Sequence, residues 1–306
     1  MSVASTPTAH ATGREKWLGH LALIGFAAMI AGSFSLGHKA APFIGPLALN
    51  AVRFIVGVMV LMGLLLAITR RLPALPVSPW RFAILGGLMS IYFVLMFVAL
   101  KITNPVSTGA VFTLTPLMSA GFAWLFLRQV TRPLVLIALL IGAAGAVWVI
   151  FRGDLAAIAK FDIGRGELIF LVGCVCHAAY TPLLRKFNRG ESGLYFTAFM
   201  TAAMMIWLLV FGGRELLATD FTSLPPVVWI TIFYLAIVTT AITFFLLQFA
   251  AQRLPASKVM AYGYLMPCFV ILYEGLSGHG WPAPAVAAGA LVTAMALVVL
   301  ALAPDS

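Results

Sequence analysis

Apolar residues along this chain come in long unbroken runs, not in the alternating or one-faced patterns of soluble strands and helices. Ten runs approach or reach the roughly 20 residues that a helix needs to cross a bilayer core. They lie near 18–37, 46–69, 82–100, 104–127, 134–151, 166–184, 193–213, 227–249, 256–276 and 283–303. Polar residues gather in the short intervals between them, which leave no room for a separate soluble domain. The expected fold class is all-α integral membrane, with ten transmembrane helices. Residues 1–16, MSVASTPTAHATGREK, are polar and are expected to form a disordered cytoplasmic N-terminus. No short apolar core with a small-residue cleavage site follows them, so the first run reads as a retained helix and not as a signal peptide.

The ten runs divide into two sets of five with matching landmarks, which places one repeat at 17–151 and a second at 164–303. Five is an odd number of crossings. A second set of five therefore enters the membrane from the opposite side, and the repeats are expected to be inverted, a known way to build alternating access. In the first half ALKITNPVSTGAVFTLTPLMSAGFAWL begins at Ala99; in the second AAQRLPASKVMAYGYLMPCFVILYEGL begins at Ala250. Placing Pro116 on Pro267 gives an offset of 151. Earlier in each half, AGSFSLGHK around Ser33 matches HAAYTPLLRK around Tyr180, with Lys39 on Lys186 at an offset of 147.

With these segments in view, the chain resembles the drug/metabolite transporter superfamily, in its ten-helix members built from two EamA units. GSFSLGHK in crossing 1, AVRF in crossing 2, YFVLMFVALKIT in crossing 3 and TLTPLMSAGFAWLFL in crossing 4 are similar to successive landmarks of that unit. HAAYTPLLRK and ASKVMAYGYLMP stand as their second-half counterparts. The resemblance spans about 17 to 303. It implies a bundle whose central pocket is lined mainly by crossings 1, 3, 4, 6, 8 and 9, with 5 and 10 peripheral. It also implies export of small metabolites, amino acids foremost, as in the aromatic amino acid exporters. One departure is clear. Where that family often ends crossings 4 and 9 with Gly-Glu, this chain reads LRQVTRP and SGHGWP, so no role of that acid carries over.

Composition agrees with a membrane protein: 62% of residues are hydrophobic and only 9% charged, far short of the polar surface a soluble domain needs. The net charge of +10 is not a nucleic-acid footprint. Twelve basic residues fall on one side: Arg14, Lys16, Arg70, Arg71, Arg81, Arg128, Arg132, Arg185, Lys186, Arg189, Arg253 and Lys258. Six, Lys39, Lys101, Arg152, Lys160, Arg165 and Arg214, fall on the other, and Arg53 lies inside a crossing. By the positive-inside rule both termini are cytoplasmic, and the expected location is a bacterial cytoplasmic (inner) membrane. Cys174, Cys176 and Cys268 read as apolar packing residues, since Cys174 and Cys176 do not share a helix face. No cofactor and no metal are expected.

The candidate pocket is neutral and hydroxyl-rich: Ser33, Tyr92, Thr115, His177, Tyr180, Thr243 and Tyr262. Such side chains donate and accept without fixed charge, although each alone serves equally well as an ordinary interhelical hydrogen-bonding group. Pro116 and Pro267 remove a backbone donor inside a crossing and are candidate hinges, with Glu274 and Arg53 as candidate gate residues. Glu274, in FVILYEGLSG, is the acid set deepest in an apolar run; acids there are costly and usually functional. It also stands close to the outer loop, where pairing with a basic group is an equal reading. Arg53 can snorkel outward along its stem or meet an ion pair or substrate near the outer mouth.

The chain carries no HExxH, no paired carboxylates at helical spacing within a crossing and no glycine-rich phosphate loop, so an enzyme is not expected. The leading reading is a secondary transporter or facilitator exporting small metabolites, amino acids first, by alternating access through a pocket between the repeats. A channel, a receptor-like membrane protein, or a carrier for a sugar or nucleoside are the alternatives. Its partners are then a small-molecule substrate and the lipid bilayer, not nucleic acid; the sequence is silent on oligomeric state and compatible with a monomer.

Overall fold

The structure is a computed structural model that describes residues 13–160, 162–251, 253–254, 259 and 261–302. These residues form helices joined by short turns, with no strand among them. In chain order the helices are α1 (Gly13–Ala40), α2 (Pro46–Thr69), α3 (Pro79–Leu100), α4 (Pro105–Phe112), α5 (Thr115–Leu127), α6 (Pro133–Ile150) and the short α7 (Leu155–Lys160). They continue with α8 (Arg165–Phe187), α9 (Gly193–Ala218), α10 (Pro226–Phe233), a π-helical stretch Tyr234–Ile242, α11 (Thr243–Ala251), a 3₁₀ turn Tyr262–Leu265, α12 (Met266–Leu276) and α13 (Pro284–Leu302).

Eight helical segments among the described residues are long and apolar enough to cross a bilayer, with α4 and α5 read as one segment and α10 to α11 as another. A shorter apolar stretch, Pro284–Val299, follows. The expected crossing near 256–276 is represented by the 3₁₀ turn and the 11-residue α12; its beginning, with Pro255 and Lys258, lies outside the described residues. So do residues 1–12 of the expected disordered N-terminus and the chain end. Residues 13–16 differ from expectation, because they belong to α1. Glu15 stands in the first turn, where a negative charge complements the helix dipole, and it takes a 2.8 Å hydrogen bond from Arg253 Nε.

Proline sets where many helices start. Pro46, Pro79, Pro105, Pro133 and Pro226 occupy the first turn of their helices, where the missing N–H has no intrahelical partner to lose. Other starts are capped by side chains. Asn104 accepts from Ser107 N (2.8 Å) and Ser192 from Tyr195 N (3.3 Å). The α2 start is capped from a distant helix, since Glu215 Oε1 on α9 accepts from Leu47 N (3.0 Å) and Ala48 N (2.9 Å).

The packing repeats itself between the halves. If α1 is exchanged for α8, α2 for α9, α3 for the α10–α11 pass, α4/α5 for the turn and α12, and α6 for α13, the major neighbour pairs map onto one another. α3 packs on α8, as α11 packs on α1. α5 packs on α8, as α12 packs on α1. α3 packs on α9, as the π-helical stretch packs on α2. The pairs α2–α9 and α6–α13 map onto themselves.

Helix starts also locate the change between the two sequence offsets. Pro79 and Pro226 differ by 147, whereas Thr115 and Met266, and Pro133 and Pro284, differ by 151. Four additional residues therefore lie between Pro226 and Met266. The α10, π-helical and α11 segments, of 8, 9 and 9 residues, exceed the 22-residue α3 by that number. A π-helix holds more residues per turn than an α-helix, so the wide stretch takes up inserted sequence inside one pass.

α6 and α13 cross backbone to backbone. A Cβ on Gly145 would lie 2.8 Å from both the Gly289 carbonyl oxygen and the Thr293 nitrogen. Thr293 Oγ1 donates to Ala290 O (2.7 Å) and reaches Tyr264 O at 3.2 Å. Without a hydrophobic drive between helices in lipid, such small-residue contacts hold the pair together. The outward surface is apolar, with Ile84, Ile91, Ile137, Val172, Ile206 and Phe211 exposed.

Candidate functional site

The prolines singled out as hinges stand at matching breaks. α4 stops at Phe112, and after Thr113 and Leu114 the helix restarts with Pro116 in its first turn. In the second half the 3₁₀ turn Tyr262–Leu265 precedes α12, which opens with Pro267 in its first turn. Each proline denies the carbonyl four residues earlier its usual N–H donor, and irregular backbone at membrane depth is tolerated where it is buried in protein or lines a cavity.

Around the first break lies an aromatic chamber. Tyr92 of α3 meets Phe93, Phe112, Phe170 and His177, with ring centroids 4.8, 6.0, 5.7 and 4.8 Å away. His177 of α8 also meets Phe112 at 5.3 Å and Tyr180 at 6.1 Å. Phe34 of α1 closes one side against Phe112 and Phe170. Tyr92, His177 and Tyr180 of the candidate set are thus brought together. His177 and Tyr180 keep accessible surface although neighbouring helices surround them. Phe34, Tyr92 and Phe170 are buried, with Phe112 and Tyr180 packed against them. His177 Nδ1 and Thr115 Oγ1 are buried without a hydrogen-bond partner.

Other candidates stand apart or are already engaged. Ser33 donates to Ile30 O (2.6 Å) on its own helix, and Thr243 to Thr239 O (2.9 Å). Tyr262 packs in a second cluster with Leu23, Ala138 and Leu254, and its hydroxyl meets His20 Nδ1 at 2.6 Å. Glu274 is 7% exposed; its Oε2 lies 2.9 Å from His279 Nδ1, while Oε1 has no partner. It is joined to a basic ring of the following loop and not to a group in the chamber.

Arg53 remains inside the bundle. It is 2% exposed, and its guanidinium carbon stands 4.2 Å from the Phe93 centroid and 4.7 Å from that of Phe54. Nη2 reaches Thr239 Oγ1 of the π-helical stretch at 3.5 Å, and Nε has no partner. Thr239 and Thr240 both donate to Leu235 O (2.8 Å each), a shared acceptor that the wide turn provides. By the first-half offset of 147, Thr239 occupies the position of Tyr92. The sequence carries no signal for Phe93 as the wall under Arg53, and marks the π-helical turn only through the change of offset from 147 to 151.

Both ends of the bundle are tied. At one, His38 Nδ1 meets Leu100 O (2.7 Å), Thr103 donates to Glu167 (2.6 Å), and Trp148 donates to Ala285 O (2.9 Å). At the other, Arg81 donates to Glu191 (2.6 Å) and to Phe187 O, and Arg189 reaches Ser78 Oγ at 3.1 Å. An apolar groove of about 590 Å³ on the outer face, with Leu47, Ile84, Ile91, Trp207 and Phe211 among its lining, offers hydrocarbon contact and little polar recognition. The cysteines are free thiols, and among the described residues no group of three His, Cys, Asp or Glu gathers to hold a metal.

A bundle of apolar helices with repeated packing and lipid-compatible flanks has the architecture of an integral membrane protein, and its family makes it a membrane transporter rather than an enzyme. The chain belongs to the EamA-like transporter family, whose profile matches residues 17–151 and 164–302. It is 24% identical to the uncharacterized transporter YyaM of Bacillus subtilis (strain 168), over 83% of this chain and 84% of that protein. It is 19% identical to the uncharacterized transporter YetK of the same organism, over 84% and 78%. An uncharacterized transporter of Archaeoglobus fulgidus is 23% identical over 67% and 70%. A crystal structure with 22% identity superposes with a TM-score of 0.66, covering 92% of this chain and 96% of that one, and shares its fold.

Proposed function

We propose that the protein is a secondary transporter that exports small metabolites, amino acids foremost, by alternating access through the chamber between two inverted five-helix units, 17–151 and 164–303. The observation that carries this reading is the packing pattern, which maps onto itself when each helix is exchanged for its counterpart. Two related units around a central chamber can rock between states that open it to opposite sides. The full bundle has ten membrane helices with both termini cytoplasmic, in a bacterial cytoplasmic membrane. Pro116 and Pro267 act as hinges at the helix breaks, and Ser33, Thr115, Thr243 and Tyr262 join Tyr92, His177 and Tyr180 in contacting cargo during the cycle. Arg53 and Glu274 are gate residues.

The topology predicts that a cysteine at Ser277 is labelled by an impermeant maleimide in intact cells, whereas cysteines at Ser2 and Ser306 react only after permeabilisation. Labelling of either terminus from outside would refute it. The transport reading predicts solute flux in proteoliposomes down the solute gradient alone, since a pocket of hydroxyls and rings suits facilitated diffusion better than strict proton exchange. Uphill accumulation driven by a pH gradient, abolished in Glu274→Gln or His177→Ala, would overturn the facilitated mechanism. Absence of flux across a screen of amino acids, sugars and nucleosides would overturn transport of these cargoes.

A further inference from the structure

Among the described residues Arg53 is a buried cation with no anion beside it. Arg53 carries five N–H donors, and the contact to an oxygen, at Thr239, is at the long limit of a hydrogen bond. Nε has none. Phe54 and Phe93 offer ring faces, which attract a cation but accept no strong hydrogen bond. Among the described residues no carboxylate contacts it. Acids with described contacts are committed elsewhere: Glu15 to Arg253, Asp154 to Ala156 N, Glu167 to Thr103, Glu191 to Arg81, Glu215 to the start of α2, Asp220 to Thr222 and Glu274 to His279. Removing a guanidinium from water without an anion is costly, and ionisable groups inside a membrane protein usually mark the substrate path.

We propose that Arg53 anchors the carboxylate of the transported solute, and that the site recognises this carboxylate and not an ammonium group; the proposal rests on the transport reading above. The guanidinium fork matches a carboxylate in a two-bond, charge-assisted pair. Thr239, held at this depth by the wide turn, stands beside the fork. Phe93, against which Arg53 lies, abuts Tyr92, and Tyr92 contacts Phe112, Phe170 and His177. The solute is therefore a small organic acid whose apolar or flat body lies on this wall. No carboxylate contacts Tyr92, His177 or Tyr180 among the described residues, so an amine finds no anion there. An amino acid qualifies through its acid end, and the same acid without its amine qualifies equally.

The test is binding to purified full-length protein in detergent, with labelled phenylacetate and competition by phenylacetamide and phenethylamine, which share its body. Phenylacetate is expected to bind saturably, and the amide and the amine to compete at least about tenfold more weakly, the loss of a charged hydrogen bond. Arg53→Gln should weaken phenylacetate by a similar factor, with Arg53→Lys intermediate. Because Arg53→Gln can impair folding, the three-probe series on the unaltered protein decides. Equal competition by the amide or the amine overturns the proposal, as does failure of phenylacetate to bind in protein that transports other solutes. Selective phenylacetate binding in protein that moves no solute leaves the carboxylate site standing and removes the transport reading instead.

Discussion

Replacing Glu191 by Ala is expected to lower stability by about 3–5 kcal/mol, the usual cost of stripping a buried charge of its partner. Arg81 is 2% exposed, its Nε already lacks a partner, and Glu191 sits 2.6 Å from Nη2 with its side chain 18% exposed. The pair ties the start of α3 to the turn between α8 and α9. Desolvation alone would raise the Glu191 pKa, but hydrogen bonds from Arg81 and from Arg189 N hold the carboxyl below its ordinary value. A depressed carboxylate pKa contributes stability above the unfolded-state value and loses it as pH falls through the folded-state value. Unfolding in detergent should therefore show Glu191→Ala and unaltered protein converging in acid and diverging toward neutrality. A difference below about 1 kcal/mol at neutral pH, the worth of an exposed pair, would show that the tie is not buried in solution.

Gly145→Val is expected to cost about 1–3 kcal/mol or more. The new Cβ meets two backbone atoms of α13, the Gly289 carbonyl oxygen and the Thr293 nitrogen, each at 2.8 Å. Backbone atoms cannot rotate aside as a side-chain tip can, so α6 and α13 must part. Gly142→Ala should strain the neighbouring contact of α6 with the Tyr264 ring of the 3₁₀ turn. Gly121→Ala on α5, with nothing within 4 Å of the new atom, should be neutral or slightly stabilising, since alanine favours a helix by up to about 1 kcal/mol. Thermal unfolding of the three variants separates these outcomes; equal behaviour of Gly145→Val and Gly121→Ala would refute the close crossing.

Long segments were the legible part of this chain, because a membrane segment declares itself by length and apolarity alone. α2 occupies 46–69 as expected, and α6 and α9 start within a residue of the expected positions. The proline breaks at Pro116 and Pro267 were legible for a similar reason, since proline acts on the backbone whatever its surroundings. Partnerships across the bundle were not. Glu215 gave no sign in its own sequence neighbourhood that it caps α2, 168 residues away. Tyr262 looked like Tyr92 and Tyr180 on paper, yet hydrogen-bonds His20 in another cluster. The π-helical stretch, YLAIVTTAI, is as apolar as an ordinary crossing and announces itself only through the shift in offset.

That shift bears on energetics. In a carrier with identical inverted halves, the inward-facing and outward-facing forms are the same structure with the halves relabelled, and they are equal in free energy. Four residues taken up in the α10–α11 pass have no counterpart in α3. Under the proposed cycle this lifts the degeneracy, and each 1.4 kcal/mol of difference sets a tenfold preference for one resting orientation. Restoring the first-half length in this one pass is expected to shift the resting orientation of the empty carrier.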